Sequence, residues 1–192
     1  FTSINEITVS GLSNENNFKI QNDLKKFLFH NIFIIDKKSF EKILLNNNLI
    51  GSFTVKKIYP NLIKIKITPT EFLAIINKKN INFFIGSNGK LIKVETQNQE
   101  LPFIFGKINY KNFINLKKII DKSKFNYKEI SFIYFFPSNR WDLKTKDGLL
   151  IKLPEKDLLK ALRIAYKIKN DNQFKMKKII DLRIPNKVIT SE

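Results

Sequence analysis

A chain of 192 residues, 43% hydrophobic with 18 Phe, has enough apolar material for one large or two small packed domains. It contains no Cys, which excludes a disulfide framework and a zinc–cysteine site, and no window nears the ~20 apolar residues that cross a bilayer. The net charge of +18 raises a nucleic-acid reading, but of 35 basic residues only Arg140, Arg163 and Arg183 are Arg, the residue that recognises bases and phosphates bidentately. The lysine pairs at 37–38, 117–118 and 177–178 are scattered among apolar residues, so they read as solvated faces or as a general attraction to anionic membrane surfaces.

INEITVSGL (residues 4–12) alternates Ile7 and Val9 on one face and ends at Gly11, a strand and turn. In NNFKIQNDLKKFLFHN, Ile20, Leu24, Phe27 and Leu28 stand at helical spacing. A second helix from about Ser39 carries Phe40, Ile43 and Leu44, with Asp36 as its N-cap and residues 46–48 as its stop. The period then drops to two. GSFTVKKIYP is one strand, and NLIKIKIT puts Ile63, Ile65 and Ile67 on one face and Lys64 and Lys66 on the other. Strand, helix, helix, strand, strand in about 70 residues is a two-layer α+β domain.

A second unit comes next. FLAIIN and INFFIG are strands, Ser87-Asn88-Gly89 is a hairpin turn, and LIKVE returns from it. ELPFIFG is extended, and Phe113, Leu116, Ile119 and Ile120 mark a helix. ISFIYFF is a buried strand, RWDLKTKDGLLIKLP a hairpin turned at Asp147-Gly148, and Pro154 introduces a helix whose apolar face combines Leu158, Leu162, Ala165, Leu159 and Tyr166. IIDLRIPNKVI (residues 179–189) alternates again: Ile180, Leu182, Ile184 and Val188 are expected to pack, while Asp181, Arg183 and Lys187 face out.

Chemistry is sparse. The only His, His30, ends the first helix, and a single His does not make a metal site. No G-x-S-x-G elbow or glycine-rich phosphate loop occurs, and Asp147 is explained as a turn former before Gly148. Asp142 alone offers no acid–base pair, and Trp141 reads as covering the edge of a core. No catalytic residue, cofactor or metal is expected.

In order, Arg140-Trp141-Asp142-Leu143, the Gly148 to Pro154 strand, the leucine-rich helix and Ile180-Asp181-Leu182-Arg183 resemble the bacterial cell-division family FtsQ/DivIB. GSFTVKKIYPNLIKIKI, FFIGSNGKLI and ELPFIFG fit further motifs of that family, with Gly86 where an Asp is usual and Pro69-Thr70-Glu71-Phe72-Leu73-Ala74 where Glu-Arg-x-Pro-x-Ala is usual. The resemblance implies an α+β chain: a POTRA domain (β-α-α-β-β) over residues 1–69, then a mixed or antiparallel-sheet β domain with flanking helices over 70–192. It further implies a non-catalytic division scaffold of the inner membrane, held by one transmembrane helix ahead of Phe1 and lying in the periplasm at the septum. Its implied partners are FtsB and FtsL, received by strand addition at the C-terminal strand, and other division proteins at the POTRA domain, with no specific nucleic acid.

Pro185 has no N–H, which fits an edge strand, and an edge left open is a template for another chain. The expected partner-binding residues are therefore Arg183, Ile184, Pro185, Asn186, Lys187, Val188 and Ile189, together with Arg140. Two other readings have their own signatures: an outer-membrane assembly or secretion component, because POTRA domains also serve there, and a basic nucleic-acid-binding module.

Overall fold

The alternation of Ile63, Ile65 and Ile67 fixes the first sheet. A computed structural model describes residues 2–94 and 100–191, and in it these three side chains are buried under two helices while Lys64 and Lys66 stand on the opposite, solvated face. Strands β1 (Glu6–Ser10), β2 (Ile50–Ile58) and β3 (Leu62–Pro69) form the sheet in the order β1-β3-β2, with β1 parallel and β2 antiparallel to β3. Helices α1 (Asn14–Leu24) and α2 (Lys37–Leu44) supply Ile20, Leu24, Phe40 and Leu44 to the core. Asp36 caps α2 by accepting from the Ser39 N–H at 2.9 Å, as its position predicts. The first helix is shorter than its spacing implies: after Leu24 it tightens into a 3-10 turn, and Phe27 and Leu28 pack from outside it.

Two compact units divide the described chain, one running to Glu71 and including Gly86–Ile92, the other comprising Phe72–Ile85 and the chain from Lys93 onward. Within the first, the Asn88 side chain of the Ser87-Asn88-Gly89 turn donates to the Asn48 and Ile50 carbonyls, both at 2.9 Å. At Gly86 an added Cβ would lie 2.7 Å from both the Thr70 hydroxyl and Asn88 Oδ1, so any larger residue there must displace these two side chains.

The second sheet has the order β12-β11-β10-β9-β8-β7-β4-β5-β6, built from Phe72–Lys78, Ile81–Gly86, Leu91–Lys93, Phe103–Phe105, Ile130–Phe135, Trp141–Thr145, Leu150–Lys152, Ile179–Asp181 and Ile189–Ser191 for β4 to β12 in chain order. The expected return strand LIKVE is strand to Lys93, Val94 still donates its N–H to the Asn82 carbonyl at 3.1 Å, and Glu95 lies outside the described residues. Register aligns Ile76, Ile104, Ile133, Leu143, Ile151 and Ile180 across six strands, and all six are buried. Helices α3 (Tyr110–Lys122) and α4 (Leu158–Lys169) pack together and bury Phe113, Leu116, Ile120, Ala161, Leu162 and Ala165.

Three expectations about the C-terminal part are corrected. Pro154 does not open α4: Leu153 still bonds the Trp141 carbonyl, and the helix starts only after Asp157 turns the chain at φ +56. Tyr166 lies on the exposed side of that helix, and its buried face is Ala161, Leu162 and Ala165. Residues 179–189 are not one strand. The inward alternation holds at Ile180 and Leu182 and then stops, leaving Ile184 and Val188 nearly half exposed. The Lys187 N–H donates to the Ile184 carbonyl at 3.2 Å, with Asn186 at φ +58, the geometry of a type II turn carried by Pro185-Asn186. The chain reverses there, and β12 returns antiparallel along β11.

Candidate functional site

The hairpin turned at Asp147-Gly148 sets the register of β9 against β10, placing Asp142 opposite Lys152 and Leu143 opposite Ile151. β11 then joins β10 in parallel, so that Lys152 faces Asp181. Because alternate residues point to opposite faces, one face carries the aliphatic row and the other carries Phe105, Tyr134, Asp142, Lys152, Asp181 and Ile189, one from each strand. Phe105 and Tyr134 stack with centroids 5.3 Å apart. Beyond them runs a ladder of alternating charge.

Arg183 closes one end of that ladder. Its guanidinium grips the Asp181 carboxylate from two nitrogens and holds it below the usual carboxylate range, against the opposing effect of burial. Arg140 closes the other end, with Nε 3.4 Å from Asp142 and the guanidinium 4.6 Å above the Phe136 ring. Burial pushes the Asp142 carboxyl up, and Arg140, Lys152 and Arg183 each oppose that rise. Arg140 Nε and Asp142 Oδ1 are both buried without a hydrogen-bond partner, so these two atoms meet as a charge contact at 3.4 Å.

The chain reversal at Pro185-Asn186 builds a groove of about 600 Å³. One wall is residues 182–188; the other is residues 154–157 with Lys160, Ala161 and Ile164 of α4. Six of the eight expected partner-binding residues, Arg183, Ile184, Pro185, Asn186, Lys187 and Val188, line it. Ile189 lies at the start of β12, the last strand of the sheet, whose outer edge has no strand partner among the described residues. Arg140 is not in the groove and reaches it only through the charge ladder.

Sequence reasoning missed the second wall, Glu155, Lys156 and Lys160, because Pro154 reads as a helix start. It also missed the Asp142–Lys152 pairing, although counting outward from the Asp147-Gly148 turn delivers it. Among the described residues no group of His, Cys, Asp or Glu is placed to hold a metal, and no helix is long and apolar enough to cross a membrane.

Residues 2–68 match the family model described as POTRA domain, FtsQ-type, and residues 74–183 match Cell division protein FtsQ/DivIB, C-terminal. The chain belongs to the FtsQ/DivIB family. Among curated FtsQ/DivIB proteins it is 25% identical to cell division protein FtsQ of Bradyrhizobium diazoefficiens over 82% of this chain and 47% of that one. It is 26% identical to DivIB of Bacillus subtilis over 78% of this chain and 59% of that one, and 28% identical to FtsQ of Rickettsia felis over 74% and 57%. The chain thus spans roughly half the length of the curated relatives it matches. The major extracytoplasmic domain of DivIB from Geobacillus stearothermophilus aligns with a TM-score of 0.38 at 15% identity, covering 48% of this chain and 85% of that one. The C-terminal FtsQ/DivIB match ends at Arg183, so most of the 182–188 wall and all of β12 lie beyond it.

Proposed function

We propose that this chain is the periplasmic part of a non-catalytic division scaffold of the inner membrane, and that it receives the FtsB–FtsL pair at its C-terminal sheet edge. In this reading residues 1–69 act as a POTRA domain that recruits other division proteins, and residues 70–192 as the β domain that presents the edge. The observation that carries it is the outer edge of β12, unpaired among the described residues and flanked by the groove of residues 154–164 and 182–188. A strand laid along β12 gains main-chain hydrogen bonds, while Ile184, Val188 and Ile189, each between 44% and 49% exposed, offer apolar contacts. Along the groove Lys156, Lys160 and Lys187 slightly outnumber Glu155 and Asp157, while Arg183 is paired with Asp181, a small basic excess that tolerates an acidic partner segment. Family membership favours this over an outer-membrane assembly or secretion component, and lysines spread over many faces do not form a nucleic-acid track.

The test is calorimetric titration of the purified chain with the soluble C-terminal segments of FtsB and FtsL. Binding is expected for the parent chain and is expected to be lost for Ile189→Asp and Val188→Pro, each retaining the parent's circular dichroism. Undetectable binding by the parent, or equal binding by both variants, overturns the reading.

A further inference from the structure

The first unit carries an apolar surface that the partner reading leaves unused. Residues 25–38 read KKFLFHNIFIIDKK: seven large apolar residues between two lysine pairs, with one Asp. Ile32 and Ile35 are buried in the core, but Phe29, Phe33 and Ile34 are 80%, 60% and 81% exposed. They are not loose ends. The Asn31 side chain accepts from the Phe33 N–H at 2.9 Å, and the segment is tied to residues 2–4 through Ile32 N–H to Thr2 O, Ile4 N–H to His30 O and Phe29 N–H to Ile4 O. Phe29 is held at φ +67, which a bulky side chain rarely adopts, with its ring left in solvent. From the β2–β3 turn, Tyr59 stacks on Phe33 at 4.9 Å, and the Lys57 ammonium lies 3.3 Å from the Phe33 carbonyl oxygen.

Fixed apolar side chains pointing out of a lysine-rimmed loop suit an interface that is apolar beneath and anionic at its surface. Lys25, Lys26, Lys37 and Lys38 are exposed and flank the loop on both sides. A second copy of this chain is disfavoured as occupant, because the segment's four Lys against one Asp would face the same excess charge. We propose that residues 28–35, with Tyr59, seat this unit on a bilayer containing anionic lipid: Phe29, Phe33 and Ile34 enter the headgroup–acyl boundary and the four lysines meet lipid phosphates. The device is independent of the β12 edge and of any protein bound there.

The experiment is sedimentation of the whole chain with vesicles of phosphatidylglycerol and phosphatidylethanolamine, with phosphatidylcholine vesicles as the neutral reference. The parent binds the anionic vesicles, and F29S/F33S/I34S weakens partitioning by about tenfold or more while leaving net charge unchanged; circular dichroism matching the parent's confirms that losing the Phe33–Tyr59 stack leaves the fold in place. A Phe33→Trp variant carrying Trp141→Phe then reports depth: its emission shifts to the blue and is quenched by brominated acyl chains. Three results overturn the proposal: no binding by the parent, which assigns the patch to a protein partner; equal binding by the triple variant, which reduces the effect to net charge; and an unshifted, unquenched emission from the Phe33→Trp variant.

Discussion

Asp181 and Arg183 grip each other across a single intervening residue, with Nε 2.8 and 2.9 Å from the two carboxylate oxygens and a terminal nitrogen 2.5 Å from one of them. The Arg183 backbone N–H adds a bond of 3.1 Å to the same carboxylate. Two residues of one short segment thereby fix the point at which the chain leaves β11 for its turn. Arg183→Ala is expected to lower stability by about 0.5–1 kcal/mol at neutral pH, the range of a well-formed but partly exposed pair. Asp181 has a depressed pKa in the folded chain, so its contribution is present above the unfolded carboxylate pKa and is lost as pH falls through the folded value. Urea unfolding of parent and variant should therefore converge as the pH drops below the usual carboxylate range.

The opposite sign holds for Asp142. Its folded pKa is raised by burial, so it opposes folding while charged; this penalty starts to lift as pH falls to the raised value and is gone below the unfolded carboxylate pKa. Removing Arg140 takes away the nearest cation and leaves a buried carboxylate less compensated. Arg140→Ala should cost about 1–2 kcal/mol at neutral pH, with the deficit shrinking on acidification. Asp142→Asn should cost less than Arg140→Ala at neutral pH. Thermal unfolding across pH compares the three proteins directly.

Tyr127 donates its hydroxyl to the Leu73 carbonyl at 2.7 Å, and burial, aided by the Asp121 charge, pushes its ionisation well above the ordinary tyrosine range. In an ultraviolet titration one of the tyrosines should ionise only as the chain unfolds in alkali, and that step should disappear in Tyr127→Phe. The substitution leaves the Leu73 carbonyl without this donor and is expected to cost about 1 kcal/mol.

Two glycines separate space from backbone conformation. At Gly11, φ +115, an added Cβ would lie 1.9 Å from the Ile67 carbonyl oxygen, whereas at Gly148, φ +92, nothing lies within 4 Å. Gly148→Ala should cost about 1 kcal/mol from backbone strain alone, and Gly11→Ala at least about 2 kcal/mol because β3 must also move. Denaturant midpoints of the two variants test the difference.

Much of the fold is readable from residues. Ile63, Ile65 and Ile67 announce a one-sided strand, Asp36 announces a helix start, and Asp147-Gly148 announces the hairpin whose register pairs Asp142 with Lys152. Residues 179–189 are harder because two signals conflict within them. Apolar alternation runs on through Ile184 and Val188, while Pro185-Asn186 is a reversal dipeptide, and alternation is blind to direction. The groove's second wall is hidden for a related reason. The left-handed backbone at Asp157 has no glycine to mark it, so nothing in the sequence delays the helix beyond Pro154.

β10 and β11 run parallel, and the chain from 153 to 178, including all of α4, lies between them. Closing so long a connection costs entropy before any contact across it is gained, which puts this part of the sheet among the late elements to assemble. The rim formed by β12 depends on β11, so it exists only on molecules whose α4 crossover is already in place. A strand laid along this rim, as proposed above, would therefore find it only on molecules whose crossover is complete.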